Sequence, residues 1–167
     1  SVRRVTPEQA VALAIPARGH VRCIAVMRQP SQTLLDEVLE RFQPDEVQAD
    51  ATALSLLRIP RRLAVLPVLR AGENVPASLP ERLLFEGPDS GTGRATDWAE
   101  ASRLARRIAL VLAGGLSPDN VAAAIEQVRP FGVDVSSGVE ESAGVKSVAR
   151  IARFADNARA AFARVTS

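Results

Sequence analysis

Several residue types are scarce in this chain of 167 residues, and their scarcity excludes whole classes of protein. Because Cys23 is the single cysteine, an internal disulfide is excluded, which fits the reducing cytoplasm. The histidine, the cysteine and the acidic residues show no spacing typical of a metal site. No apolar run approaches the roughly 20 residues of a membrane span, and no signal-peptide pattern is present. We therefore expect a cytoplasmic protein that binds neither a membrane nor a metal.

The chain also has little net charge. Its formal charge is +2, and Lys146 is the single lysine, so the positive charge is almost entirely arginine. The arginines are spread along the chain rather than clustered, which disfavours a nucleic-acid partner. Hydrophobic residues make up 47% of the chain, an ordinary globular composition, and the length fits one domain over residues 1–167.

Apolar runs alternate with helical patterns along the chain. Roughly six such runs occur, among them VRCIAVM (Val21–Met27) and LAVLPVLR (Leu63–Arg70). A helix is expected after Thr6, which is followed by Pro7 and by Gln9, a pattern typical of a helix start. Strands that are apolar throughout and are separated by helices predict a parallel α/β sheet. The pattern alone leaves two closures open, an open doubly wound sheet and a (β/α) barrel.

A glycine pair follows one of the apolar runs. Gly114 and Gly115 come after Ile108–Ala113, and Ser117 and Pro118 follow them as the expected N-cap and first residue of a helix. The backbone N–H groups at such a helix start attract anions, and glycines allow a ligand to approach the backbone closely. A tight turn that requires positive φ is the alternative interpretation.

A second turn of small residues follows the next strand. Ser136, Ser137 and Gly138 come after Val133–Val135 and again offer hydroxyls and backbone donors. Because the carboxyl ends of parallel strands meet at one edge of a sheet, the two turns are expected to be neighbours. Together they predict a phosphate-binding site like the one that barrels build after their last two strands.

The residues around these turns resemble a known family. LAGGLSPDNVAAAIEQVRPFGVDVSSGVEESAGVKS (residues 112–147) is similar to the C-terminal signature of phosphoribosylanthranilate isomerases, enzymes of tryptophan biosynthesis. GTGRATDW (Gly91–Trp98) resembles the glycine-rich loop of that family. SVRRVTPEQA (Ser1–Ala10) resembles the segment that follows its second strand.

The resemblance implies a (β/α)8 TIM barrel and a cofactor-free Amadori rearrangement, in which the furanose of phosphoribosylanthranilate opens and an aminoaldose becomes an aminoketose. The family's base is a Cys in a K-I-C-G motif on its first strand, and this sequence contains no K-I-C-G. The expectation is therefore that the first two strands of the barrel are missing from the given sequence. Cys23, on the strand that would be the third, is interpreted as a core residue.

The resemblance also implies roles for individual residues. Glu86 takes the position of the family's acid, with Asp89 in the same loop as the alternative. Arg3 matches the arginine that contacts the anthranilate carboxylate, although the neighbouring Arg4 leaves the register open. Asp134 matches a substrate-contacting aspartate, and an Asp within an apolar run is costly unless it is paired or functional.

Two other functions remain open from the sequence. One is a phosphate-ligand-binding barrel fragment without catalysis, and the other is a different barrel enzyme that acts on a sugar phosphate. In every case the expected ligand is a small sugar phosphate, no cofactor is expected, and the protein is a monomer or a homodimer.

Overall fold

The computed structural model describes residues 1–75, 78–87 and 97–165. The chain divides into two compact units, one formed by Ser1 and Arg3–Val68 and the other by Val2 and the chain from Leu69 onward. Nothing in this division tests the expectation of a single domain, which stays a prediction.

The first unit contains three helices and three strands, with strand β3 continuing into the second unit. In chain order these are α1 (Pro7–Ala14), β1 (Ile24–Val26), α2 (Gln32–Arg41), β2 (Glu46–Asp50), α3 (Ala51–Leu54) and β3 (Ala64–Arg70). The predicted start of α1 is confirmed, because the Thr6 side chain accepts from the Gln9 N–H while the Gln9 side chain accepts from the Thr6 N–H.

The second unit continues with strands, helices and a small hairpin. Its elements are β4 (Arg82–Glu86), α4 (Trp98–Ala105), β5 (Ala109–Leu112), α5 (Val121–Val128), β6 (Gly132–Val133), a 3-10 turn (Ser137–Val139), β7 (Glu140–Ser142), β8 (Val145–Lys146) and α6 (Val148–Val165). Strands β7 and β8 form an antiparallel pair of their own.

The six strands β1 to β6 belong to one sheet and follow one another in chain order. Every pairing described among them is parallel, so the predicted parallel α/β sheet is confirmed. A doubly wound sheet reverses its strand order at a switch point, whereas a barrel adds each strand beside the last. The observed order therefore excludes the doubly wound alternative, while closure into eight strands is not shown.

The first strand differs from its prediction. The run Val21–Met27 was expected to form a buried strand, yet only Ile24–Val26 is a strand. The side chains of Ile24 and Val26 are exposed, with 39% and 69% of their surface accessible. The apolar run predicts the strand correctly but cannot show whether a neighbour covers it. Cys23 is buried beside Val38 and Phe42, as expected of a core residue.

The largest hydrophobic cluster lies in the second unit. Strands β4 and β5 contribute Leu83, Phe85, Leu110 and Leu112, and helices α4, α5 and α6 pack against them through Ala101, Leu104, Ile125, Val128, Phe154 and Ala158. A close-packed cluster of this kind fixes the height and direction of the strand ends beyond it. None of the helices within the described residues has the length and apolar character needed to cross a membrane.

Candidate active site

The carboxyl ends of β4, β5 and β6 bring Glu86 and Asp134 to the same level of the sheet. Phe85 is paired with Leu112, and Leu112 with Val133. The residues that follow these three, Glu86, Ala113 and Asp134, therefore lie side by side. The backbone continues this pattern, because the Asp134 N–H donates to the Leu112 carbonyl over 2.8 Å. Residues at one level of neighbouring strands point to the same side of a sheet. The two carboxyl side chains therefore share a face.

The glycine pair after β5 forms a turn that depends on its backbone angles. Gly114 has φ 88° and Gly115 has φ 68°, both in the region that favours glycine. The side chain of Asn120 spans the turn, since its amide donates to the Gly115 carbonyl over 2.9 Å and accepts from the Ser117 N–H over 2.8 Å. Residues 114–120 are called the first turn below. The positive φ of both glycines agrees with the alternative interpretation given above, a tight turn that requires this conformation.

The helix start predicted in the first turn is wrong by a few residues. Helix α5 begins at Val121, and Asn120 rather than Ser117 is its N-cap. Ser117 instead accepts the Asp119 N–H at its hydroxyl, 3.3 Å away, and Pro118 belongs to the turn. The Asn120 side chain is engaged within the turn and does not cap the helix. Ser117 and Pro118 therefore lie in the turn that precedes the helix.

The second turn, residues 136–138 after β6, packs directly against the first. A Cβ atom added to Gly138 would lie 1.9 Å from the Leu116 carbonyl oxygen and 3.1 Å from the Ser117 Cα. Only glycine can sit at that distance from another backbone. The predicted adjacency of the two turns is thus present in the structure, and their backbones meet at Gly138.

A lysine from the hairpin supports the second turn. Lys146 donates to the Ser136 carbonyl over 2.7 Å and to the Glu140 carboxylate over 2.8 Å. The Glu140 side chain is only 4% exposed, so the carboxylate of this ion pair is largely shielded from water. Glu140 also accepts the Gly144 N–H over 3.2 Å, which holds the hairpin against the turn. The sequence marked Lys146 only by its rarity and did not predict this contact.

A buried arginine lies beside Glu86. The Ala71 N–H donates to the Glu86 carbonyl over 2.9 Å, which places the end of β3 next to the end of β4. The Arg70 guanidinium is 3.0 Å from the Glu86 carboxylate, and the two side chains are 9% and 13% exposed. Arg70 was not predicted as a site residue. The polar end of an otherwise apolar strand was the signal that could have found it.

Asp134 has an altered proton affinity. Burial raises the pKa of the Asp134 carboxyl, the negative charge of Glu86 raises this pKa further, and the Lys146 ammonium lowers it in part. The end of the sheet thus contains the Arg70–Glu86 ion pair and, near it, the Asp134 carboxyl, whose ionisation is disfavoured. Such an arrangement is suited to proton transfer at a bound ligand.

Other predicted residues lie elsewhere or outside the description. Arg3 belongs to the first unit, where its side chain is exposed and its N–H donates to the Ser1 hydroxyl over 3.2 Å. Asp89, the alternative acid, and Gly91–Arg94 of the glycine-rich loop lie outside the described residues. Within residues 1–75, 78–87 and 97–165, no group of three His, Cys, Asp or Glu side chains is arranged to hold a metal ion.

These features define a parallel α/β protein in which two backbone turns meet at one edge of the sheet, with ionisable side chains next to them. The family model for N-(5'-phosphoribosyl)anthranilate isomerase matches residues 1–157. The chain belongs to this family.

Named relatives agree with the family match. The isomerase of Rhizobium etli strain CIAT 652 is 35% identical over 184 aligned residues, which cover 99% of this chain and 82% of that protein. The crystal structure of TrpF from Jonesia denitrificans is 34% identical, with a TM-score of 0.75 over 96% of this chain and 82% of that one. A structure of phosphoribosyl anthranilate isomerase in complex with reduced 1-(o-carboxyphenylamino)-1-deoxyribulose 5-phosphate is 26% identical, with a TM-score of 0.73 and the same two coverages.

The comparisons confirm the isomerase family and its place in tryptophan biosynthesis, as the resemblance implied. The expected absence of the first two strands is not supported by the family match, which spans residues 1–157.

Proposed function

We propose that this chain catalyses the Amadori rearrangement of N-(5'-phosphoribosyl)anthranilate to 1-(carboxyphenylamino)-1-deoxyribulose 5-phosphate. The reaction converts an aldose derivative to a ketose derivative without a cofactor. It requires a phosphate clamp, a proton donor for the ring oxygen and a base for the proton on the sugar C2. The sheet completes an eight-stranded barrel in this proposal, and the protein acts in the cytoplasm as a monomer or a homodimer.

The packing of Gly138 on the first turn carries the proposal. It joins the backbone of Leu116 and Ser117 to the second turn, so that two sets of backbone groups lie together at one edge of the sheet. In the proposed complex the phosphate is bound by Gly114 and Gly115 and by residues 136–138, as barrels bind phosphate after their last strands. The related structure that contains a sugar phosphate product analogue supports a ligand of this class.

The reacting part of the sugar is then placed over the row of ionisable side chains. Glu86 and Asp134 share a face of the sheet beside the two turns. We assign Glu86 as a catalytic residue and Asp134 as a residue that contacts the substrate. A base is not assigned among the described residues, and buried Cys23 is not a candidate for that role.

Recognition of the anthranilate carboxylate is assigned to Arg3. This part of the proposal rests on the resemblance of SVRRVTPEQA to the family and on the chemistry of the guanidinium, which offers two parallel donors to a carboxylate. Replacement of Arg3 by Met is expected to raise KM and to leave kcat largely unchanged, because the carboxylate is remote from the reacting atoms.

The decisive experiment measures turnover and binding on the same protein. Purified chain is incubated with phosphoribosylanthranilate and the ketose product is quantified by chromatography, while binding of the reduced product analogue is measured by calorimetry. Glu86→Gln is expected to lower kcat by about a hundredfold or more. Glu126→Gln, on the exposed face of α5, is the matched control and should retain full turnover.

Two outcomes would contradict the proposal. If the chain binds the analogue but gives no turnover above background, it is a phosphate-ligand-binding protein. If a different sugar phosphate is converted and phosphoribosylanthranilate is not, it is a different enzyme with the same clamp.

A further inference from the structure

We propose that Lys146 is a positioning residue for the phosphate group of the substrate. Its ammonium holds the Ser136 carbonyl on the hairpin side of the second turn, so that the Ser137 N–H points to the other side and donates to the phosphate. The proposal rests on the proposed function for its ligand and on the contacts of the hairpin for its geometry. Lys146 acts through the turn and does not touch the reacting atoms of the sugar.

The Lys146 ammonium makes two hydrogen bonds that together fix its position. It donates to the Ser136 carbonyl over 2.7 Å and to the Glu140 carboxylate over 2.8 Å, and the Ser136 hydroxyl lies 3.5 Å away. An ammonium has several donors and no acceptor, so both bonds form at the same time. Hydrogen bonds to a charged group are roughly twice as strong as neutral ones. The carboxylate therefore keeps the ammonium where it reaches the carbonyl.

The backbone around Lys146 is itself held in place. Glu140 and Lys146 lie opposite each other in the pair of strands β7 and β8. The Arg150 guanidinium donates to the Glu140 carbonyl over 2.6 Å, and the Ser147 N–H donates to the Val139 carbonyl over 2.9 Å. The lysine is thus positioned before a ligand arrives, which is what a supporting residue of a binding site requires.

The peptide between Ser136 and Ser137 transmits this contact to the other side of the turn. In a trans peptide the C=O and the N–H point in opposite directions, and no cis peptide bond occurs within the described residues. A carbonyl directed at Lys146 therefore directs the Ser137 N–H away from the hairpin. The next residue, Gly138, packs on the first turn. The Ser137 N–H thus lies directly before the contact between the two turns, where the phosphate is proposed to bind.

The charge of Lys146 favours the same ligand. Burial and the negative charge of Glu86 raise the pKa of the Asp134 carboxyl, whereas the Lys146 ammonium lowers it. The electrostatic field of the ammonium therefore reaches the end of β6, close to the second turn. A phosphate group is an anion, and an oriented N–H together with a nearby cation stabilises it. Orientation and charge thus both depend on one side chain.

Phosphate binding to three variants tests the proposal without turnover. Lys146→Met removes the ammonium, and calorimetry with inorganic phosphate should show an affinity about tenfold lower than in the wild type. Lys146→Arg keeps the charge and the donors and should recover most of the affinity. Arg164→Met removes an exposed cation of α6 that pairs with Glu126, and this control should bind phosphate as the wild type does.

Two results of the binding experiment would overturn the proposal. One is an affinity of Lys146→Met equal to that of the wild type. The other is an equal loss in Lys146→Met and Arg164→Met, because any cation of the second unit would then serve as well.

Turnover separates positioning from a general effect on the fold. The phosphate is remote from the reacting C1 and C2, so Lys146→Met should raise KM for phosphoribosylanthranilate about tenfold and change kcat by less than about twofold. A fall in kcat at unchanged KM would mean fewer folded molecules and would overturn the role assigned to Lys146. Phosphate binding that depends on Lys146 in a chain without turnover would contradict the proposed function alone.

Discussion

The two turns at the edge of the sheet both contain glycine, but for different physical reasons. In the first turn, Gly114 and Gly115 have φ of 88° and 68°, a backbone conformation that strains other residues. In the second turn, Gly138 is required because a Cβ atom there would overlap the Leu116 carbonyl oxygen at 1.9 Å. One turn needs glycine for its angles and the other needs it for space.

The turns also differ in what holds them. The first is stabilised from within, by the hydrogen bonds of the Asn120 side chain to its own turn. The second is held from outside, by its contact with the first turn and by Lys146 of the hairpin. Damage to the first turn should therefore remain local, whereas damage to the second should separate the two turns and disrupt the proposed phosphate site as a whole.

Gly138→Ala should have the largest effect of the substitutions considered. The added methyl group meets backbone atoms, which cannot rotate away, so the two turns must move apart. Overpacking of this kind typically costs about 1–3 kcal/mol, and we expect the upper end of that range. Urea unfolding should show the loss of stability, and calorimetry should show that inorganic phosphate no longer binds measurably.

Gly132→Ala provides the matched control for that change. Gly132 lies in β6 of the same unit, and a Cβ atom there would meet only the Val111 side chain at 3.9 Å, an ordinary contact. Its stability and phosphate affinity should stay close to those of the wild type. Equal losses for both variants would show that strand β6 tolerates no added side chain and that the contact between the turns is not special.

Asn120→Ala should have the next largest effect. It removes two hydrogen bonds of 2.8 and 2.9 Å within the first turn, each of which contributes about 1 kcal/mol in typical proteins. We therefore expect a loss of about 2 kcal/mol in unfolding free energy and a weaker affinity for phosphate. Asn120→Asp keeps the acceptor for the Ser117 N–H and should lose about half as much. If the two variants are equally stable, the bond from the Ser117 N–H, which only the Asp variant keeps, does not support the turn.

The sequence was informative about structural features that depend on residues close to one another in the chain. Apolar runs alternating with helical patterns predicted the parallel sheet, and the pattern of Thr6, Pro7 and Gln9 predicted the start of α1. The small residues after β5 and β6 predicted two neighbouring turns. In each case the residues that decide the structure lie within a few positions of one another, so their chemistry can be interpreted without knowing the fold.

The sequence was less informative where distant residues meet. The Arg70–Glu86 ion pair joins two strands, and the contact of Lys146 with Ser136 joins a hairpin to a turn. Neither has a local pattern. The exposure of Val26 and the start of α5 at Val121 also depend on neighbours that the local sequence does not specify. As a result the sequence offered candidate residues for the site, but it could not show the ion pairs that they form.

Gly115→Ala should have the smallest effect and is the sharpest test of the difference between the turns. A left-handed conformation costs an L-residue about 1–2 kcal/mol, and the reduced freedom of the unfolded chain offsets about 0.4–1 kcal/mol of this, so the net loss should be about 1 kcal/mol. Asn adopts positive φ more readily than Ala, and Gly115→Asn should therefore be the more stable of the two variants in urea unfolding. The reverse order would mean that space rather than backbone angle requires glycine in the first turn as well. The contrast between the two turns would then disappear.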